Sequence, residues 1–173
     1  NYSIILGMNS NNAIITGGTI NVTVPTTRYA YITSTSPFWN LNITSTSAAQ
    51  RCQLRAYPGD DPVPAIAAQP LTVLNNFSIQ NNAYFDVTQP APDLNVTVSG
   101  NFIINSTATY LPGTNTTTFN GSGPQSFDAS GTINGNLYNL TLTNSSDLTL
   151  YGNNLTVLNT FTLGSGCTLR DNG

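Results

Sequence analysis

Three sets of residues in this chain could do chemistry: seven aspartates, two cysteines and a dense series of Asn-x-Ser/Thr tripeptides. Asp60, Asp61, Asp86, Asp93, Asp128, Asp147 and Asp171 are the only side-chain acids, because the chain has no Glu. It also has no His and no Lys, so the common general bases are missing and a Ser or Cys nucleophile would lack its usual partner. Paired carboxylates would suffice for hydrolysis of a glycosidic bond. The one adjacent pair, Asp60-Asp61, lies in a Pro-rich stretch, and neighbours on an extended chain point apart. The aspartates therefore read as turn and capping residues. Asp60 and Asp61 with nearby carbonyls have the oxygen chemistry of a Ca²⁺ site, but no regular calcium-loop spacing surrounds them, and they read as a solvated loop. Gly121-Ser122-Gly123 lacks the Lys-Ser/Thr of a phosphate loop and reads as a turn. The expectation is a protein without catalysis, metal or cofactor.

Cys52 and Cys167 admit two readings, a disulfide in an oxidising compartment or two small buried hydrophobes. Sequons begin at Asn1 and at the glycosylation candidates Asn21, Asn42, Asn76, Asn95, Asn105, Asn115, Asn120, Asn139, Asn144 and Asn154. Glycan attachment is one explanation. The other is geometric: Asn-x-Thr puts both polar residues on one outward strand face, so a polar ladder writes sequons automatically. Trp39, Tyr31, Tyr57 and Tyr151 are candidate sugar- or partner-binding aromatics, and read first as core or rim packing.

Composition narrows the class. Charged residues are 6% of 173, against about 25% in an average domain. Arg28, Arg51, Arg55 and Arg170 are the only cations, too few and too scattered for the basic stripe that nucleic acid or a membrane surface requires. No run of 18 apolar residues is present, so no membrane-spanning helix is expected. Abundant Val, Ile and Thr with a net charge of −3 argue against disorder. Solubility must rest on Asn, Thr, Ser and Gln, a composition suited to secreted surfaces and fibres. The opening Asn1 and a close directly after a strand-like run fit a segment cut from a longer array.

The elements that would position these residues are short strands. Leu94-Asn95-Val96-Thr97-Val98 and Leu140-Thr141-Leu142-Thr143 alternate with period two, and Gly or Pro interrupts the pattern too often for helices. One spacing recurs: Leu71, Val73, Phe77, Ile79, Ala83, Phe85; then Val96, Val98, Phe102, Ile104, Ala108, Tyr110; then Leu155, Val157, Phe161, Leu163, Cys167, Leu169. The apolar steps run 2, 4, 2, 4, 2, with an aromatic third and a small residue fifth. A step of two stays within a strand; a step of four turns a corner and returns to the same interior. The segments Phe38–Thr44 and Leu137–Thr143 echo each other, as do Cys52–Arg55 and Cys167–Arg170. This predicts one β-repeat domain over residues 1–173: a right-handed parallel β-helix of about seven coils, at roughly 20–25 residues each. Residues 56–70 and 88–93, rich in Pro, are expected outside the sheets. The competing arrangement is a pilin-like β-sandwich joined by strand donation, in which Tyr2–Met8 would enter a neighbour.

The run Thr117–Phe127, containing Phe119-Asn120-Gly121-Ser122-Gly123-Pro124-Gln125, followed by Tyr138-Asn139-Leu140-Thr141-Leu142, resembles repeats of giant secreted and cell-surface proteins of Bacteroidota-type bacteria. Leu148-Thr149-Leu150, Leu155-Thr156-Val157 and Phe161-Thr162-Leu163 continue the likeness, which covers about the last third of the chain and, in part, Phe38–Thr44. Archaeal surface-filament or envelope proteins are similar in their Asn/Thr-rich composition. The resemblance implies a right-handed β-helix with an adhesive or surface-layer role. The expectation is an extracellular structural or adhesive segment that self-associates through strand edges or coil ends, with a carbohydrate-binding or carbohydrate-active β-helix as the alternative.

Overall fold

Alternating strands of this kind have one wet face and one dry face, and the chain satisfies both by winding around its own apolar side chains. The computed structural model describes residues 2–6, 14–47, 50–60, 64–89 and 91–172. In chain order the strands are β1 (Tyr2–Leu6), β2 (Thr19–Val24), β3 (Ala30–Ser34), β4 (Asn40–Ser45) and β5 (Arg51–Leu54). Then come β6 (Leu71–Val73), β7 (Phe77–Ile79), β8 (Tyr84–Asp86), β9 (Val96–Val98), β10 (Phe102–Ile104) and β11 (Thr109–Leu111). The last are β12 (Thr116–Phe119), β13 (Pro124–Ala129), β14 (Thr132–Ile133), β15 (Leu137–Leu142), β16 (Asp147–Gly152), β17 (Val157–Leu163) and β18 (Thr168–Asp171).

These strands stack into three parallel sheets. The first is β1-β3-β5-β8-β11-β14, the second β2-β4-β7-β10-β13-β16-β18 and the third β6-β9-β12-β15-β17. From β6 to β14 successive strands visit the third, second and first sheets in turn; β1 to β5 alternate between the first and second sheets, and β15 to β18 between the third and second, each strand one rung from its counterpart in the next coil. Every ladder between named strands is parallel, which excludes the antiparallel sandwich. The fold is a parallel β-helix. Seven strands in the second sheet mean six windings from first to last, rather than about seven coils. The difference comes from β4 to β7, where Leu41 lies opposite Phe77 and one winding carries the whole 56–70 excursion. Within that excursion Tyr57 and Ile66 form an antiparallel bridge, with N–H···O distances of 2.8 and 2.9 Å. Residues 88–93 likewise connect β8 to β9 outside the sheets.

The first two predicted repeats superpose rung for rung. Leu71 and Val73 lie opposite Val96 and Val98, Phe77 and Ile79 opposite Phe102 and Ile104, and Phe85 opposite Tyr110. The third is displaced by one face: Phe161 and Leu163 lie opposite Leu140 and Leu142 in the third sheet, and Leu169 opposite Leu148 in the second. A strand plus its corner has nearly the same six-residue step on every face. The pattern therefore fixes inside and outside, but not which sheet a strand joins. Corners close with hydrogen bonds from Ala83 N to Gln80 O (3.1 Å), Ala108 N to Asn105 O (2.7 Å), Ser146 N to Thr143 O (3.1 Å) and Cys167 N to Gly164 O (3.1 Å). The small fifth residue of each repeat is this closing position. Asn81 and Asn82 hold positive φ at the first of these corners, and Asn144 and Ser145 at the third, a conformation that short polar residues tolerate best.

Inside, aromatic rings stack along the axis. Phe77 lies 4.7 Å from Phe102, which lies 5.1 Å from Phe127, at interplanar angles of 17° and 19°. Phe85 and Tyr110 form a second stack at 5.9 Å. Most parallel sheets are covered on both faces and read as continuous apolar runs. A coil covers only its inner face, so the period-two signal survives in the sequence.

Candidate functional site

With one face of every sheet inside, binding chemistry is confined to the outward residues, and the first sheet carries a charged polar network centred on Asp86. Alternation along β5 turns Cys52 and Leu54 inward, both buried, and leaves Arg51 and Gln53 outward. Register then places Tyr31 opposite Gln53 and Gln53 opposite Asp86, with Arg51 opposite Tyr84 in the neighbouring column. Asp86 Oδ2 accepts hydrogen bonds from Arg51 Nη1 (2.9 Å) and Gln53 Nε2 (2.8 Å). Its Oδ1 accepts from the Thr88 backbone N–H (2.9 Å) and hydroxyl (2.7 Å). Burial acts to raise the Asp86 carboxyl, but the bonds from Thr88, Gln53 and Arg51 outweigh it and hold the carboxyl below its ordinary value. Arg55 donates through Nε (3.2 Å) and Nη2 (3.1 Å) to Gln53 Oε1.

Tyrosine rings flank this network. The Arg51 guanidinium lies 4.4 Å from the centre of the Tyr84 ring, and that of Arg55 lies 5.4 Å from Tyr31. Tyr29 and Tyr31 stack at 6.3 Å with an 11° interplanar angle. Asn134, on the turn after β14, donates to the Tyr84 hydroxyl at 3.0 Å. Asp86 is fully buried, whereas the Arg51 side chain is 40% exposed and Tyr29 39%. The face therefore offers rings and a guanidinium edge to solvent above a neutralised acid. Rings and a guanidinium edge arranged in this way have the chemistry to stack on planar groups and to donate to hydroxyls.

The turn-and-cap reading of the aspartates needs correction here. Asp86 does cap Thr88, but its second oxygen anchors a strand-borne network across two coils. Asp147 likewise sits in β16 and pairs with Arg170 at 2.9 Å. Asp93 receives the backbone N–H and hydroxyl of Thr114, and Asp128 those of Ser130, as capping acids do. Asp60 takes the Tyr57 hydroxyl at 2.8 Å; Asp61 lies outside the described residues. The signal that would have revealed the site is the outward register Tyr29-x-Tyr31 and Arg51-x-Gln53-x-Arg55, which places half of the chain's four arginines on one strand and its edge.

The asparagines chiefly knit coil to coil. Asn40 Oδ1 accepts from Asn75 Nδ2 (2.9 Å) and Asn76 N (3.1 Å); Asn76 Oδ1 accepts from Asn101 N (3.0 Å), and Asn101 Oδ1 from Ser126 N (2.9 Å). Asn42 donates to Asn21 (3.0 Å), Asn144 to the Asn120 carbonyl (2.9 Å) and Asn159 to Asn139 (2.9 Å). Asn95 Oδ1 accepts from Thr116 N (2.9 Å), and Asn105 Oδ1 from Thr107 N (3.4 Å). Of the sequon positions, Asn21, Asn95, Asn105, Asn144 and Asn154 are exposed, while Asn42, Asn76, Asn120 and Asn139 are half-buried; Asn1 lies outside the described residues. Asn115 is buried and donates inward to the Leu94 carbonyl and the Tyr110 hydroxyl, both at 3.0 Å, so the folded chain withholds it from modification.

Cys52 and Cys167 are free thiols, the first fully buried inside the first sheet and the second half-buried at the corner before β18. Of the two readings, the structure takes the buried hydrophobe for Cys52. The four aromatics singled out do not converge: Tyr31 is on β3, Trp39 just precedes β4, Tyr57 is in the excursion and Tyr151 is on β16. Only Tyr31 joins the polar network.

Comparison with protein-family models, with curated proteins and with solved structures finds no match to this chain.

Proposed function

We propose that this chain is a structural and adhesive segment of an extracellular surface protein: a stiff β-helical rod that displays binding faces and turns over no substrate. The observation that carries this reading is the coil-to-coil knitting of the outer faces by asparagine. In the Asn40–Asn76–Asn101–Ser126 ladder each side-chain oxygen accepts a backbone N–H of the next coil, so the amides complete the bonding between coils at the strand starts and stiffen the rod without charge. A rod solvated by amides and hydroxyls stays soluble through changes of salt and pH that would collapse a charged surface. The coil of β17 and β18 presents Leu158, Phe161 and Leu163, between 45% and 56% exposed, an apolar rim beside a strand edge suited to a second copy of the chain.

The test has two parts. Antibody to the rod should label intact, unpermeabilised cells of the source organism, and purified material should form rods or fibres by electron microscopy. A cytosolic pool, or isolated globules at high protein concentration, overturns the reading.

A second reading, a carbohydrate-binding β-helix, is favoured by the Tyr29–Tyr31 stack beside Arg51 and Arg55. Retention on immobilised acidic polysaccharide, lost on Tyr31→Ala and Arg51→Gln, supports it; equal retention of wild type and variants removes it.

A further inference from the structure

The third sheet differs from the other two in carrying a column of one residue type. Thr72 lies opposite Thr97, Thr97 opposite Thr118, Thr118 opposite Thr141, and Thr141 opposite Thr162. Five consecutive rungs thus present threonine at the same outward position. The positions two residues earlier form a mixed row, Pro70, Asn95, Thr116, Asn139 and Thr160, in which threonine stands at two of the five rungs. The one irregularity in this sheet falls between Leu137 and Asn139, before the Thr141 rung, and the five-threonine column itself holds register without a slip. The strands β6, β9, β12, β15 and β17 contain no charged residue.

The result is a lattice of one threonine column, with its hydroxyls and methyls, beside a mixed row that presents amides and hydroxyls. Its repeat is about 4.8 Å along the axis and about 6.6 Å between the column and the row, from the spacing of parallel strands and the rise of two residues. Threonine is β-branched and restricted at χ1, so each hydroxyl and methyl has few orientations to lose when a ligand arrives. That preorganisation lowers the ordering cost of binding. The features point to the occupant. A globular partner has no reason to meet five equivalent rungs, and a charged mineral or polyanion would need charges that these strands lack. A surface that is neutral, repeats in two dimensions and both donates and accepts hydrogen bonds suits threonine hydroxyls, which also do both. Ice is such a surface, with oxygen repeats on the scale of this lattice.

We propose that the outward threonine face of the third sheet binds ice. The threonine column orders water in the grooves between its methyl groups, and that water merges with the crystal. The inference is independent of where the protein resides, because it rests on register alone.

The experiment uses the whole chain. Ice-crystal shaping and inhibition of recrystallisation are measured for wild type, for the double variant Thr118→Tyr/Thr141→Tyr, and for Thr149→Tyr on the outer face of the second sheet. Tyr suits an outward strand position, and thermal unfolding by circular dichroism checks that each variant folds. Wild type and Thr149→Tyr should facet ice crystals and suppress their coarsening; the double variant should lose both effects while melting as wild type does. Round, freely growing crystals with wild type, or full activity in a folded double variant, overturns the proposal. So does wild type that binds crystalline cellulose or chitin but leaves ice unchanged.

Discussion

Replacing Phe102 with alanine should be the most damaging single truncation in this rod. Its ring is fully buried, stacked 4.7 Å from Phe77 and 5.1 Å from Phe127, and edge-on to Tyr110 at 5.5 Å. Truncating a buried Phe costs about 3–5 kcal/mol through lost transfer energy and a residual cavity. The two stacked contacts place this site near the top of that range, since each aromatic pair adds about 0.5–1.5 kcal/mol beyond buried area. Phe161 is the control. It occupies an inward position on the last coil but is 45% exposed, so roughly half of the ~1.5–3 kcal/mol for burying a Phe is at stake, or about 1 kcal/mol. Urea titrations followed by circular dichroism and by the fluorescence of the single Trp, Trp39, read the difference. With a urea slope of about 2 kcal/mol/M, Phe102→Ala should lower the midpoint by about 2 M and Phe161→Ala by about 0.5 M. Equal shifts for the two variants would refute the continuous interior stack.

Three further outcomes follow from the site geometry. Asp86→Asn removes an ionised acceptor from four hydrogen bonds and should cost about 1.5–3 kcal/mol at neutral pH. Because the folded carboxyl sits below its ordinary value, its contribution is complete above the unfolded pKa of about 3.9 and fades as pH falls through the folded value. Wild type should therefore lose stability on that acid limb, and Asp86→Asn should show a flatter one in pH-dependent melting. Burial pushes the Cys52 thiol well above its usual range, so iodoacetamide should label Cys167 in the native protein and Cys52 only after unfolding. Peptide mapping of protein purified from its source should find any N-glycan at exposed sequons such as Asn21, Asn95, Asn105, Asn144 or Asn154; a glycan at Asn115 would contradict the inward geometry of that side chain.

What could be read from the sequence was whatever depends on one strand at a time. Period two told inside from outside, so Phe77, Phe102, Ile79 and Ile104 were placed correctly and even paired correctly. The small corner residue was legible because corners are local hydrogen-bonded turns. Sheet membership was not, because it depends on the number of corners since the start of the chain, and the 56–70 excursion and the varying coil lengths break that count. Hence Phe161 was matched to Phe77 and Phe102 in the second sheet, while it stacks under Leu140 in the third. The Arg51–Gln53–Asp86 network was hidden for a related reason: its members lie 33 and 35 residues apart and meet only once the register of β5 on β8 is known. The sequons show the converse: a geometric ladder can imitate a modification signal, and only burial separates Asn115 from Asn95.

The parallel coil is tested most directly by distances along one outward column of the second sheet. Asn21 lies opposite Asn42, then Ser78, Ile103, Asp128 and Tyr151 on successive rungs. In a Cys52→Ala/Cys167→Ser background, paired spin labels at positions 21 and 128 and at positions 21 and 151 can be measured by pulsed electron paramagnetic resonance. Four and five rungs of about 4.8 Å predict backbone separations near ~19 and ~24 Å, the second pair longer by one rung. Equal distances, or a shorter distance for the pair at 21 and 151, would contradict a single column of stacked windings.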